Sequence, residues 1–522
     1  MKKEWMDKPV LCIFDTRQIQ AFMFRANSYY DTLGGSNLMV HILMDAVRAS
    51  LKAIDPPLAD DEFDLSLDPD GELPFFTSEK TKFQMIMCAA GNAICVVRTG
   101  ALAQKIIRKC SRYYLDHAYS LNLDVAVTEM TGDFGRDIAA LYDRLDAIKA
   151  SGEIANPLGP LSVVMRENRT GDPVVGIDPV RGDYVSRASM LRRKEAVGRG
   201  TVVGMEDILT TRAANGKDYL AVLHADGNNL GITIGRIIQQ TSSYEEGTRA
   251  RRRINVNIGG CYSRIMKATL LELEAYYYES RTDDTDFAHA FQVIHQAGDD
   301  LNILCSASLA LPFLDIFYRN LDGSLLFDQG GVKIPLYVCT GVAFVTKETS
   351  FASAFALAEQ CCASAKKEAK KEVNLRDGLA GNWIDYQISD YSSTQDLELL
   401  RRKAYVSRDG ISLLLRPYCF DREAACEVYA YGALKRRIRA LQALELSDEM
   451  RNILRESYML GRTEFGQWAA VFARQGMDLK QLPGEPLYRD RDGNQHAVWY
   501  DAFTLMDLCR KEGDCVWTSF RS

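Results

Sequence analysis

The sequence has no uninterrupted apolar run of the roughly 18–20 residues needed to cross a bilayer, so no membrane association is expected. Its thirteen cysteines contain no C-x-x-C pair. Cys361 and Cys362 are adjacent, and Cys509 and Cys515 have five residues between them, which is not zinc-finger spacing. Cys12, Cys88, Cys95, Cys305 and Cys339 lie inside apolar runs and read as small, reduced core residues. Only six histidines occur. None is followed by aspartate and none makes H-x₃-H, which argues against a histidine–aspartate phosphohydrolase. Neither a G-x-S-x-G nucleophile elbow nor a G-x₄-G-K-[ST] phosphate loop is present. Positive charge is not in excess: 63 Lys and Arg stand against 70 Asp and Glu, a net of −7. A chain devoted to coating duplex nucleic acid would be basic. The amino terminus has Lys2 and Lys3 but soon meets Glu4 and Asp7. It lacks the apolar region and cleavage site of a signal peptide, so a cytoplasmic location is expected.

What the chain does contain is a repeat. At roughly 150 residues per domain, 522 residues suggest three or four domains. FQMIMCAAGN at 83–92 matches FQVIHQAGDD at 291–300. In each, two apolar runs surround a glycine turn, the pattern of a β-hairpin. Each hairpin follows a strand ending in aspartate, PVLCIFD with Asp15 and YLAVLHAD with Asp226. Asp15 to Asn92 spans 77 positions and Asp226 to Asp300 spans 74. A helix-like stretch and another strand follow each hairpin. The order β-α-β-hairpin-α-β, twice, predicts an α+β protein with two tandem ferredoxin-like palm domains. The expected divisions are a first palm at 1–155, a linker with a small β-ribbon at 156–217, a second palm at 218–392, and a mainly helical carboxy-terminal domain at 393–522. RDRDGNQHAVWY is expected to be a hairpin with Asp-Gly in its turn.

Chemistry is expected in the second palm. Asp226 ends its first strand, and Asp299 and Asp300 occupy its hairpin. Neighbouring strands are about 5 Å apart, so these carboxylates converge. Converging carboxylates repel unless a cation lies between them, and Mg²⁺ takes one or two carboxylates, waters and phosphate oxygens. Mn²⁺ suits the same oxygen ligands. That is the donor set of nucleotidyl transfer. Gly227, Asn228, Asn229 and Gly231 form a strand-to-helix turn whose backbone N–H groups suit a triphosphate. Lys366, in CCASAKKEAKKE, either neutralises a γ-phosphate or lies on a solvated helix face; Lys370 and Lys371 read as solvated. The first half keeps Asp15 but has Gly91 and Asn92 in place of the hairpin carboxylates, so it is expected to bind metal poorly. LGGSNL, with Gly34, Gly35 and Ser36, reads as a turn with free amides beside that degenerate site, or as a helix cap and loop. The basic runs RARRR at 249–253 and LKRRIR at 434–439 read as solvated faces or salt-bridge partners, with phosphate or nucleic-acid contact as the alternative.

These segments resemble the large palm-domain subunit of type III CRISPR effector complexes and its stand-alone relatives. The resemblance runs from about residue 9 to 415 and is carried by FDTRQIQAFMFRANSYYDTLGGSNLM, CAAGNAICVV, LAVLHADGNNLG, HQAGDDLNIL and TGVAFVTKETSFASAFALAEQCCASAKKEAK. More distantly the chain is similar to GGDEF diguanylate cyclases and class III nucleotide cyclases. The resemblance implies a degenerate first palm and a second that joins ATP into cyclic oligoadenylate messengers of antiviral defence. It implies Mg²⁺ at Asp226, Asp299 and Asp300, phosphate contact at Lys366, and a second nucleotide pocket lined by Gly34, Gly35 and Ser36. It also implies effector subunits or RNA as partners. The alternative is a non-catalytic nucleotide sensor or scaffold in such an assembly. Three departures are visible. Ala297 replaces the first glycine of the hairpin motif. The zinc-binding cysteines between the palms are missing, RENRTGDPVV reading as a metal-free remnant. The chain is expected to open on the first palm, without the amino-terminal nuclease domain of many family members.

Overall fold

The computed structural model describes residues 6–25, 29–89, 91–152, 162–179, 181–196, 205–279, 285–329, 332–375, 380–389, 396–420, 427–477, 487–490 and 493–509. The first palm begins with β1 (Val10–Arg17), α1 (Ile19–Phe24) and α2 (Tyr29–Ala53). It continues through β2 (Phe63–Asp64), α3 (Pro74–Thr77), β3 (Phe83–Ala89) and β4 (Asn92–Val97). It ends with α4 (Gly100–His117), β5 (Asn122–Glu129) and α5 (Phe134–Ala150). Its sheet has the order β2-β3-β4-β1-β5, with β1 central and antiparallel to β4 and β5. β1 is apolar on both faces because both are covered. Val10, Cys12 and Phe14 pack with α2 and α4, and Leu11 and Ile13 with α5. In α4 the buried residues Ala103, Ile106, Cys110 and Tyr114 recur every three or four positions, the spacing of one helical face.

The linker holds β6 (Val174–Ile177), β7 (Tyr184–Ser186), α6 (Arg187–Ala196) and β8 (Thr211–Arg212). Strands β6 and β7 form the expected ribbon. Two arginines of the basic segment at α6 are buried, while Arg187 and Lys194 are exposed. Arg192 is fully buried, and Arg193 pairs with Asp31 and Asp178.

The second palm comprises β9 (Asp218–Gly227), α7 (Leu230–Gln239), α8 (Tyr244–Glu279), β10 (Phe291–Ala297) and β11 (Asp300–Ser306). Then come α9 (Ala307–Leu321), β12 (Leu325–Gln329), β13 (Val332–Pro335), β14 (Val338–Thr346), α10 (Phe351–Ala369) and β15 (Trp383–Ser389). The order β10-β11-β9-β14 repeats that of the first palm, and β15 extends it in parallel with β14. β12 and β13 form an inserted ribbon that the repeat did not predict. After α11 (Leu397–Ala404), β16 (Tyr418–Cys419) pairs with β15, while β8 pairs with β9. This sheet therefore draws strands from both sides of 218–392. The remainder is α12 (Tyr431–Gln442), α13 (Asp448–Leu460), α14 (Arg462–Arg474), β17 (Leu487–Arg489), β18 (Gln495–Ala497) and α15 (Tyr500–Met506). β17 and β18 are the expected hairpin, with Gly493 at φ 88°.

The duplication extends to fine detail. Both hairpins slip register at the same place, between Met85 and Met87 and between Val293 and His295. Three residues after each strand-end aspartate stands a non-glycine residue in left-handed conformation, Gln18 at φ 62° and Asn229 at φ 58°. The palms meet reciprocally, with α2 of the first against β10 of the second and α8 of the second against β3 of the first.

That packing corrects one expectation. Gly34, Gly35 and Ser36 lie inside α2, not in a turn. Helical hydrogen bonding leaves no free amides there, so the amide argument for a second nucleotide pocket falls. Gly34 has a packing reason: an added Cβ would sit 1.8 Å from the Arg192 carbonyl oxygen of α6.

Candidate active site

The site lies where β9 and the β10–β11 hairpin end together. Leu301 pairs with Ala225, and one further step of that register sets Asp300 opposite Asp226. In the first palm the equivalent pair is Asn92 opposite Asp15. Ala297 pairs with Asp300, so Gly298 and Asp299 form a two-residue turn. Gly298 takes φ 63°, the conformation that favours glycine at the first position of such a turn. Ala297 is within the strand and lacks a positive φ, so the missing first glycine leaves the turn undisturbed.

The turn folds Asp299 back over Gly227. A Cβ on Gly227 would come 2.8 Å from Asp299 Oδ2 and 2.3 Å from Leu230 Cδ1. The vacancy of a side chain is what admits the carboxylate. Asp299 shares a hydrogen bond with Asp226, and burial together with the Asp226 charge pushes its pKa up to about 7. Burial also raises the Asp300 carboxyl, with His224 and His295 opposing. Lys366 of α10 pairs with Asp226 Oδ2. Burial works against the Lys366 ammonium, but Asp226 outweighs it and holds its pKa above the ordinary value.

Asn229 caps α7 without a side-chain hydrogen bond, and Gly231 lies in the helix's first turn with open space where a Cβ would be. Asn228 is tied down: its N–H donates to the Tyr337 carbonyl and its Nδ2 to the Gly381 carbonyl. The Oδ1 atoms of Asn228 and Asn229 are buried without partners. Among the described residues, no three metal-ligating side chains gather at one point. Two carboxylates do, and two orphan amide oxygens follow directly in the chain. An all-oxygen donor set with a raised, shared-proton carboxylate fits a hard divalent cation, which takes the rest of its ligands from water and phosphate.

Four features escaped the sequence reading. Lys149 of α5 binds Asp15 Oδ2 at 2.9 Å. It is the sixteenth residue of α5, as Lys366 is of α10, so the aspartate–lysine pair is itself repeated. His224 and Asn302 lie beside Asp300, each two residues along a strand from a site aspartate; that period-two spacing was the available signal. Ser36 Oγ of the first palm meets His295 Nδ1 of the second at 2.7 Å, both buried. Tyr262 of α8 is fully buried with no partner for its hydroxyl, and burial together with Asp299 and Asp226 raises its pKa. The basic runs are structural. Arg249 donates to the Pro69 and Gly71 carbonyls, Arg252 to Asp64 and the Met85 carbonyl, and Arg253 pairs with Asp70. Lys435 pairs with Asp315 and Arg436 with Glu427. Lys371 pairs with Glu368 on the surface.

No family model and no curated protein matches the sequence. Solved structures do match the fold. Csm1 in T.onnurineus superposes with a TM-score of 0.51 over 97% of this chain and 70% of that one, at 14% identity. The chain has the fold of Csm1. A Csm1-Csm4 cassette in complex with AMPPNP gives 0.51 at 15% identity, again over 97% and 70%. The cassette in complex with pppApApA gives 0.50 at 14% identity, over 98% and 71%. The coverage reaches past both palms, so the Csm1 likeness includes the carboxy-terminal helices. Among the described residues no helix is long and apolar enough to cross a membrane.

Proposed function

We propose that the second palm is a divalent-cation-dependent nucleotidyltransferase. It makes a cyclic or oligomeric nucleotide from ATP or another nucleoside triphosphate, in antiviral defence. The observation that carries this reading is the half-buried, hydrogen-bonded Asp226–Asp299 pair, with Asp299 pushed up to about 7. A scaffold gains nothing from placing one carboxylate where it raises the proton affinity of another, as Asp226 does for Asp299. Active sites are where such perturbation is concentrated. Csm1 cassettes in complex with one ATP and with pppApApA support the substrate class, and the Csm4 partner supports an effector assembly.

Asp226 and Asp299 would hold Mg²⁺ or Mn²⁺, with Asp300 beside them as the third carboxylate that this reading adds; the ion when bound would favour a ribose hydroxylate and stabilise charge on the phosphates. The chain's own residues do the positioning. Gly227, with no side chain, lets the Asp299 carboxylate lie over the strand end beside Asp226. The first-turn N–H groups of α7, at Leu230 and Gly231, precede the helix's own bonding and favour negative charge. Lys366 holds a positive charge at Asp226 and is free to exchange that partner for a phosphate oxygen.

The scaffold reading has one observation in its favour. The first palm keeps the Asp15–Lys149 pair without hairpin carboxylates, so the pair alone does not mark catalysis. Pyrophosphate release from ATP or GTP with Mg²⁺ or Mn²⁺ tests the proposal, with and without an activating RNA. Asp299→Ala with Asp300→Ala is expected to abolish release while the chain stays folded. Release that persists in the double variant places the chemistry elsewhere.

A further inference from the structure

The residues beside Asp300 carry an inference that rests on the cation-site reading and deepens it. His224 and Asn302 are cross-strand partners on β9 and β11. Both are buried, at 6% and 0% exposure, so water cannot stand in for either. His224 Nδ1 lies 2.7 Å from Asn302 Oδ1 and 3.4 Å from Asp300 Oδ1. Asp300 Oδ1 is a carboxylate acceptor whichever way the Asn302 amide lies, so the ring proton belongs on Nδ1. A donating Nδ1–H decides which way the Asn302 amide points. With its oxygen held by the histidine, its Nδ2 donates to Asp300 Oδ1 at 3.1 Å. The flipped amide would set its oxygen against the carboxylate and its N–H₂ against the ring N–H. Phe355 of α10 meets the His224 ring edge-on, with centroids 5.4 Å apart, and limits its rotation.

We infer that His224 and Asn302 form a one-directional relay that engages Asp300 Oδ1 and presents Oδ2 to the cation. Both are positioning residues, acting through Asp300.

Two measurements on the full chain test it. The first is ¹⁵N labelling of the six histidines, with His224 assigned from His224→Asn. A protonated Nδ1 in the cation-free protein is expected, and an Nε2–H tautomer overturns the relay whatever the activity. The second is Mn²⁺ binding, followed by the paramagnetic resonance of the free ion. Asn302→Leu and His224→Phe are each expected to weaken binding about 10-fold or more, and His224→Asn, whose amide nitrogen takes the place of Nδ1, to stay within about threefold. Unchanged affinity in Asn302→Leu, or His224→Asn as weak as His224→Phe, overturns the relay. Absence of Mn²⁺ binding by the unaltered chain overturns the cation-site reading, while the tautomer still decides the relay.

Discussion

Replacing Asp299 by asparagine is expected to stabilise the protein in the absence of divalent cations. The Asp299 carboxyl rises from its ordinary 3.8 to about 7 because it is buried beside Asp226. The direction of the pH effect follows. Below about pH 4 the group is protonated in folded and unfolded chains alike and contributes nothing. Between about 4 and 7 the unfolded chain releases the proton and the folded chain does not, so stability falls as pH rises. Above 7 the full cost remains, at most about 4 kcal/mol for the difference between the two values. Asparagine keeps the shape and a hydrogen bond without the charge. For a unit of this size, even half that energy moves the melting temperature by roughly 5 °C. Thermal unfolding of the unaltered chain and Asp299→Asn, in EDTA at pH 5 and pH 8, measures the effect. The variant is expected to melt higher at pH 8, with a smaller gap at pH 5. Mg²⁺ is expected to raise the melting temperature of the unaltered chain more than that of the variant. A variant equally or less stable at pH 8 refutes the argument that the carboxylates are held together at a cost to the fold.

Gly227→Ala puts a methyl group 2.8 Å from Asp299 Oδ2, and is expected to cost about 1–3 kcal/mol by urea denaturation and to weaken Mn²⁺ binding. Gly34→Ala drives a Cβ into the α6 backbone and is expected to cost about 3 kcal/mol or more; unchanged stability would deny the close contact of α2 and α6. Lys366→Ala and Lys149→Ala remove equivalent lysines from the two palms. In a pyrophosphate assay the first is expected to lose on the order of 100-fold activity and the second to stay within about threefold. Equal losses would mean that the pair serves the fold in both palms.

Much of this was legible in the residues. Aspartate at a strand end, glycine in a two-residue turn and matching apolar runs are local features, and they located Asp226, Asp299 and Asp300 correctly within their elements. The helical state of Gly34–Ser36 was not legible. Two adjacent glycines read as a break because glycine is a poor helix former, and only the need for α6 to approach closely reverses that preference. The burial of Arg192 and Arg252 was equally hidden, since a basic run is ordinarily solvated and these meet carbonyls and carboxylates supplied from far along the chain.

Strand periodicity by itself determined that His224 shares a face with Asp226, and Asn302 with Asp300, because alternation is a property of two neighbouring residues. Only the tertiary structure decided which of those faces meet. Lys366 reaches Asp226 from 140 residues away, and Ser36 reaches His295 from 259 residues away. Such contacts follow from how helices settle on sheets and how one palm docks on its duplicate. That docking depends on the shape of the whole buried surface, which no short stretch of sequence encodes.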